Sequence, residues 1–94
     1  MLYRQALGEV LREIRTDKGK TLTSLSPYLS VAHLSELERG KNEVSSEVLE
    51  TIANGLGTSV SEIVILAGWK MNDHSTRLDK LLTSPYAGLT KQLR

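Results

Sequence analysis

The chain contains no cysteine, and this absence sets the first limits on its chemistry. It has no disulfide and no thiol nucleophile, which favours a protein of the reducing cytoplasm. Histidine is scarce, with only His33 and His74, and the sequence has neither a glycine-rich phosphate loop nor a set of side chains at metal-ligand spacing. These absences argue against an enzyme, a metal site and a bound cofactor.

Long apolar runs and an excess of one charge are also lacking. No segment approaches the about 20 apolar residues that a membrane span needs, and no signal-peptide segment opens the chain, so we expect a cytoplasmic protein outside the membrane. The net charge is only +1, and residues 1–41 carry seven Lys or Arg against five Asp or Glu. If nucleic acid is bound, the contact must therefore be local and not a broad basic surface. A length of 94 residues allows one domain with one modest core.

The apolar residues that are present recur at helical spacing, and no stretch alternates as a strand would. Leu7, Val10, Leu11 and Ile14 follow the i, i+3, i+4, i+7 pattern of an amphipathic helix, which Gly19 is expected to end. The pattern predicts an all-α fold.

The second helix is the uncertain part of this pattern. Thr21 can cap a helix that begins at Leu22, but Pro27 opposes its continuation, so it is expected to end near Ser26. Alternatively, Ser26 caps a helix with Pro27 in its first position, and the second helix is almost lost.

The stretch 30–40 has the features of a third, short helix with one anchored side. Ser30 is a good N-cap, Leu34 and Leu37 share one face, and Gly40 stands where the helix should stop. Few of the residues on the opposite face are of the kind that a hydrophobic core contains. We interpret this stretch as a helix offered to DNA.

Two more helices follow from cap and stop signals. Ser45 is expected to cap a fourth helix that Gly57 stops. The sequence 59–62, S-V-S-E, is a capping box for a fifth helix, which is apolar nearly all round and is expected to end near Gly68.

Three segments together resemble the Cro/CI-type (XRE) helix-turn-helix family: L-R-E-I-R-T-D-K-G-K-T-L at 11–22, S-V-A-H-L-S-E-L-E-R-G at 30–40, and V-S-S-E-V-L-E-T-I-A-N-G-L-G-T-S-V-S-E-I at 44–63. The string at 34–47 looks closer still to the actinobacterial regulators of Clp protease genes. The resemblance implies a five-helix, lambda-repressor-like domain at 1–68, and a partly helical extension at 69–94 that serves dimerisation and ends in a flexible tail. Family members usually have about two more residues between the positions of Leu25 and Ser30, which also points to a shortened second helix or turn.

In this family the second helix of the motif enters the major groove by its N-terminal end. The resemblance therefore implies base-reading roles for Val31, Ala32 and Glu36, although Glu36 could be merely solvated. His33, at the same entering end, could donate to a base or phosphate, or it could be a boundary residue. The candidates for phosphate contact are Lys18, Lys20, Thr21, Ser30, Ser35, Arg39, Lys41, Asn42, Ser45 and Ser46. Glu38 is expected to be a structural partner of Arg12 or Arg15.

The implied function is that of a transcriptional regulator binding a palindromic promoter site as a homodimer, an activator of Clp protease and chaperone genes with RNA polymerase as a further partner. The candidate dimer interface comprises Ile63, Leu66, Trp69, Met71, Leu78, Leu81 and Leu82. The last three leucines could instead pack on their own domain. The alternative function is an antitoxin-type protein-binding module with secondary DNA binding.

Overall fold

A computed structural model describes residues 1–72 of the chain. In this part the predicted all-α class is confirmed. Four α-helices follow one another: α1 at Tyr3–Asp17, α2 at Val31–Glu38, α3 at Ser46–Leu56 and α4 at Val60–Asn72. The predicted Leu78, Leu81 and Leu82 contacts, and most of the predicted extension, lie outside the described residues.

The predicted helix ends at Gly19, Gly40 and Gly57 are confirmed, and all three use one device. Each glycine has a φ of about +70°, the left-handed conformation that residues with a Cβ rarely adopt. After each glycine, the next amide bonds back to a carbonyl five residues earlier, as in Lys20 N to Arg15 O and Lys41 N to Glu36 O, both at 3.0–3.1 Å. This Schellman arrangement satisfies the last carbonyls of the helix and reverses the chain sharply.

The second predicted helix is reduced to a single 3₁₀ turn at Thr23–Leu25. The predicted count of five α-helices is therefore not met in residues 1–72. Pro27 has no amide to donate, and the chain passes through turns until Ser30 caps α2. The first of the two alternatives, a short element ending near Ser26, is closer to the structure than a helix starting at Pro27.

The last described helix is longer than predicted. Gly68 does not end α4, which continues through it to Asn72. A Cβ placed on Gly68 would meet nothing within 4 Å, so this glycine faces open space and keeps helical geometry. The predicted domain boundary at residue 68 thus falls inside a continuous helix.

The core is built around α1, which packs against α2 on one side and α4 on the other. α3 closes the core by packing on α4 and on the 3₁₀ turn. The largest fully buried side chains are aliphatic and come from all four α-helices: Val10, Leu11, Leu34, Leu37, Leu56, Ile63 and Leu66. Full burial of one such side chain is worth about 1.5–3 kcal/mol, so these residues supply most of the drive for folding.

One charged residue, Lys70, is buried with the core. Its ammonium lies 2.9 Å from Glu13 Oε1 and 3.5 Å from Glu9 Oε2, which joins α4 to α1 by charge as well as by apolar packing. Among residues 1–72, no single helix is long and apolar enough to span a membrane. α3 and α4 together reach that length and composition, but they are bent by 102° at their junction.

Candidate nucleic-acid interface

α2 presents one face to the core and another to solvent. Leu34 and Leu37 are each only 1% exposed, as predicted for the anchored side. The Ser30 hydroxyl accepts a hydrogen bond from the amide of His33 at 3.2 Å, which confirms the predicted N-cap. Val31 (38% exposed) and Ala32 stand exposed in the first turn, so the leading end of α2 lies at the surface and not in the interior.

An ion pair fixes the other end of α2 to α1. Arg15 Nε and Nη2 donate to the two carboxylate oxygens of Glu38 at 2.7 and 2.9 Å, and both side chains are nearly buried, at 12% and 7% exposure. Arg15 Nη1 also donates to the carbonyl of Lys20 at 2.9 Å. The hydrogen bond with Glu38 raises the pKa of the Arg15 guanidinium above its ordinary value. The structural role predicted for Glu38 is confirmed, and Arg15, not the exposed Arg12, is its partner.

The backbones of α1 and α2 also touch directly. A Cβ on Gly8 would lie 2.7 Å from the carbonyl oxygen of Glu38 and closer still to that of Leu37. A Cβ on Gly40 would lie 2.8 Å from the Cα of Gln5. Since neither position has room for a side chain, α1 forms a close-fitting support behind α2.

The predicted base-reading residues are grouped on the outer side of α2. His33 and Glu36 are half-buried, beside the more exposed Val31 and Ala32. The Glu36 carboxylate accepts a hydrogen bond from Asn42 Nδ2 at 2.7 Å. The structure therefore brings together Glu36 and Asn42, which the sequence had placed in different roles.

Most of the predicted phosphate-contact residues lie at the surface near the ends of the helices. Arg39, Lys41 and Ser46 are exposed, and Arg39 Nε donates to the carbonyl of the half-buried Ser35 at 3.3 Å. Lys20 is half-buried next to the exposed Thr21.

Three of the predicted hydroxyl donors already act as acceptors. Those of Ser30 and Ser45 cap their helices, and that of Thr21 accepts from the amide of Ser24 at 3.1 Å. A hydroxyl that accepts one bond still has a proton to donate, so these caps remain compatible with contact to a phosphate.

Lys18 is the exception among these cations. Its ammonium donates to the carbonyls of Leu56 at 2.6 Å and Gly57 at 3.3 Å, at the carboxyl end of α3. There the charge satisfies carbonyls and complements the negative end of the helix dipole. Lys18 thus has a structural contact within the chain, and because an ammonium has three N–H donors, its phosphate role stays a prediction.

Arg4 is a cation at this surface that the sequence analysis missed. Its Nε donates to the carbonyl of Gly40 at 3.1 Å, and its Nη1 pairs with Glu43 at 3.2 Å. It thereby attaches the start of α1 to the loop that follows α2. No local pattern could have indicated this, because the partners are 36 and 39 positions away in sequence.

The predicted dimer-interface residues on α4 differ in their burial. Ile63 and Leu66 are 0% and 1% exposed and pack in the core of their own chain, so their assignment to the interface was wrong. Trp69 is half-buried against the same core. Val64 and Met71 are exposed, on either side of the open position at Gly68. The sequence did not indicate that Val64 is exposed, because a helix that is apolar nearly all round does not reveal which side is buried.

No group of three or more His, Cys, Asp or Glu side chains within residues 1–72 could hold a metal ion. What the geometry offers is a capped helix with an exposed leading end, a support behind it, and cations and hydroxyl groups close to it in the chain. This is the arrangement by which a helix-turn-helix domain meets the major groove and the phosphates beside it.

Comparisons with known proteins agree with this geometry. The Helix-turn-helix family model (HTH_3) matches residues 11–63. The transcriptional regulator ClgR of Mycobacterium tuberculosis is 38% identical over 89 residues, which cover 93% of this chain and 76% of that protein. The HTH-type transcriptional regulator DdrOP3 of Deinococcus deserti is 37% identical over 60 residues, which cover 62% of this chain and 46% of that protein.

Solved structures give the same result. Two crystal structures of the clp gene regulator ClgR from Corynebacterium glutamicum superpose with TM-scores of 0.72 and 0.75, at 48% and 42% identity. They cover 76% and 90% of this chain, and 95% and 96% of theirs. The chain thus belongs to the helix-turn-helix family, as an XRE-type transcriptional regulator related to ClgR and not an enzyme.

Proposed function

We propose that the chain binds a palindromic promoter site as a homodimer, with the N-terminal end of α2 in the major groove. The observation that carries this proposal is the exposure of Val31 and Ala32 at the leading end of a helix whose other face is anchored by Leu34 and Leu37. A helix can read base edges only if its leading end protrudes while the domain holds its back.

The chemistry of these side chains suggests what each would contact. Val31 and Ala32 offer apolar contact, which suits a thymine methyl, and the carboxylate of Glu36 suits a cytosine amino group. His33 lies between them in sequence and would donate to a base or phosphate. The proposed phosphate contacts are Lys18, Lys20, Thr21, Ser30, Ser35, Arg39, Lys41, Ser45 and Ser46. None of the base readers is an arginine on guanine, so DNA shape would carry much of the specificity.

The exposed face of α4 supports the proposed homodimer. Val64 and Met71 expose apolar surface, and the gap at Gly68 between them would let a second helix approach closely. A two-fold dimer would place two α2 helices about 34 Å apart, one turn of B-DNA. Trp69 and the extension to residue 94 would add to this interface.

The relatives suggest the target genes. The two structural neighbours from C. glutamicum are described as clp gene regulators. We place this chain in the cytoplasm as an activator of Clp protease and chaperone genes that acts together with RNA polymerase.

Binding to duplexes over a range of salt tests the DNA-binding proposal. Gel-shift titration should give a Kd of about 10⁻⁸ M or tighter for one palindrome at physiological salt, with random duplex at least 10³-fold weaker. Lys41→Ala should weaken binding to all sequences and reduce the salt slope by about 0.9. Equal affinity for all duplexes would exclude a sequence-specific regulator.

A charge on α4 tests the homodimer. Val64→Asp should convert the dimer to a monomer in sedimentation and abolish cooperative binding to the palindrome, while a half-site is still bound. Asn54→Asp is the matched control because it adds the same charge at an exposed position of another helix, α3. A Val64→Asp protein that stays dimeric would rule out this face as the interface.

A further inference from the structure

The contact between Asn42 and Glu36 carries an inference that rests on the proposed function and deepens it. Asn42 lies four residues beyond the end of α2, and its Nδ2 lies 2.7 Å from Glu36 Oε2, a carboxylate in the last turn of the helix. The bond joins two exposed or half-buried residues on the outer side of the domain, so it contributes little to the core.

The backbone explains how Asn42 comes to be there. Gly40 adopts a φ of +70°, and the amide of Lys41 returns to the carbonyl of Glu36 at 3.1 Å. This Schellman turn folds the chain back along the last turn of α2, which brings the next residue beside the Glu36 side chain. Glu36 is thereby held twice, through its carbonyl and through its carboxylate.

Restraint of this kind matters for a carboxylate near DNA. A free glutamate has several rotamers, and any rotamer that brings its charge close to a phosphate is repelled. A short bond to a neutral amide fixes the carboxylate without neutralising it, since an amide carries no charge. The carboxylate keeps further lone pairs, so it can still accept from a cytosine amino group.

We propose that Asn42 is a specificity-determining residue: it positions the Glu36 carboxylate as a reader of one base pair and does not serve mainly as a phosphate contact. A phosphate contact would raise the affinity for every duplex alike, whereas a positioning residue changes which base is preferred at one position. The two roles therefore leave different signatures in binding data.

The experiment compares base preferences of the full chain and its variants. A pool of duplexes with a randomised 20-base-pair segment is selected on the wild-type protein, Asn42→Ala, Glu36→Ala and the double variant. The resulting site and its single-base-pair substitutions are then titrated individually. Lys41→Ala is the matched control, since it removes an exposed neighbouring side chain and keeps both the backbone bond to Glu36 and the bond of Asn42 to the Glu36 carboxylate. Circular dichroism checks that each variant is folded.

We expect Asn42→Ala to lower discrimination at one base pair of each half-site by about fivefold or more, with smaller changes elsewhere. In the Glu36→Ala background the same substitution should change nothing at that base pair. Lys41→Ala should weaken all duplexes equally and keep the wild-type preference.

Two results would overturn the inference alone. One is a uniform loss of affinity in Asn42→Ala with an unchanged base preference, which would make Asn42 a phosphate contact. The other is a change in preference that persists without Glu36. If the wild-type protein selects no sequence at all, the proposed function fails and the inference fails with it.

Discussion

Glu38→Gln probes directly what holds α2 against the domain, because it removes a charge and keeps the shape of the side chain. In the wild-type protein both carboxylate oxygens of Glu38 accept from Arg15, at 2.7 and 2.9 Å, in a site where the two side chains are 12% and 7% exposed. The glutamine has one oxygen for the two donors, and its amide group faces a guanidinium that cannot accept. A nearly buried cation is left without its countercharge.

The expected loss is large for a domain of this size. Breaking one side of a buried ion pair destabilises a protein by about 3–5 kcal/mol, while a small domain is stable by only about 5–15 kcal/mol in total. Because about 1 kcal/mol shifts the melting temperature of such a domain by some 4–8 °C, we expect a fall of at least about 12 °C. Urea unfolding followed by circular dichroism measures the change in free energy directly.

The chain offers a matched control in the pair of Arg4 and Glu43, whose side chains are 35% and 78% exposed. Glu43→Gln should change the free energy of unfolding by less than about 1 kcal/mol, because water screens this pair. Arg15→Met combined with Glu38→Leu should recover much of the loss, since no buried charge then remains at this site. If Glu38→Gln costs no more than Glu43→Gln, the ion pair does not hold α2 and our reasoning is wrong.

Three further predictions concern single contacts. Gly8→Ala should destabilise the fold by about 1–3 kcal/mol because its Cβ would meet backbone carbonyls of α2. Gly68→Ala, whose Cβ meets nothing in its own chain, should stabilise the monomer by about 0.5–1 kcal/mol, so thermal melts of the two substitutions in the monomeric Val64→Asp background should shift in opposite directions. Lys70→Met should destabilise by up to about 3 kcal/mol in urea, since Glu13 loses an ion pair of 2.9 Å with a buried ammonium, and an unchanged midpoint would contradict this. Ser45→Ala should cost about 1 kcal/mol through loss of the α3 cap, and amide exchange in the first turn of α3 should speed up accordingly.

The predictable part of the fold follows from local signals. Ser30 and Ser45 cap the helices predicted for them, and Gly57 ends α3 in the left-handed conformation. Such signals act within one turn of the chain, so a single sequence contains them. The predicted helix end at Gly68 was wrong because a glycine permits a left-handed backbone but does not require it. Whether the helix continues depends on packing with distant residues, which a local pattern does not contain.

The contacts of the candidate interface were less predictable because they join distant residues. Both Arg12 and Arg15 were possible partners of Glu38, and only the packing of α1 decides that Arg15 reaches it. α4 is apolar on nearly every side, so its sequence does not show which face is buried. For this reason Ile63 was assigned to the dimer surface, although it lies in the core. The pairing of Asn42 with Glu36 depends on the turn at Gly40. The sequence indicated that the helix ends there, but not that the turn brings Asn42 beside Glu36.

The missing side chain at Gly8 has a consequence for how the domain meets its target. The backbone of α2 lies against α1 at Gly8, and the ion pair with Arg15 holds the end of α2, so both contacts restrain α2 against tilting and sliding. In the proposed complex a restrained helix would adapt little to the groove, and most of the adjustment would come from the duplex. In the proposed homodimer, easily deformed pyrimidine–purine steps between the half-sites would then be favoured even though no side chain touches them, and the spacer would become part of the recognised sequence.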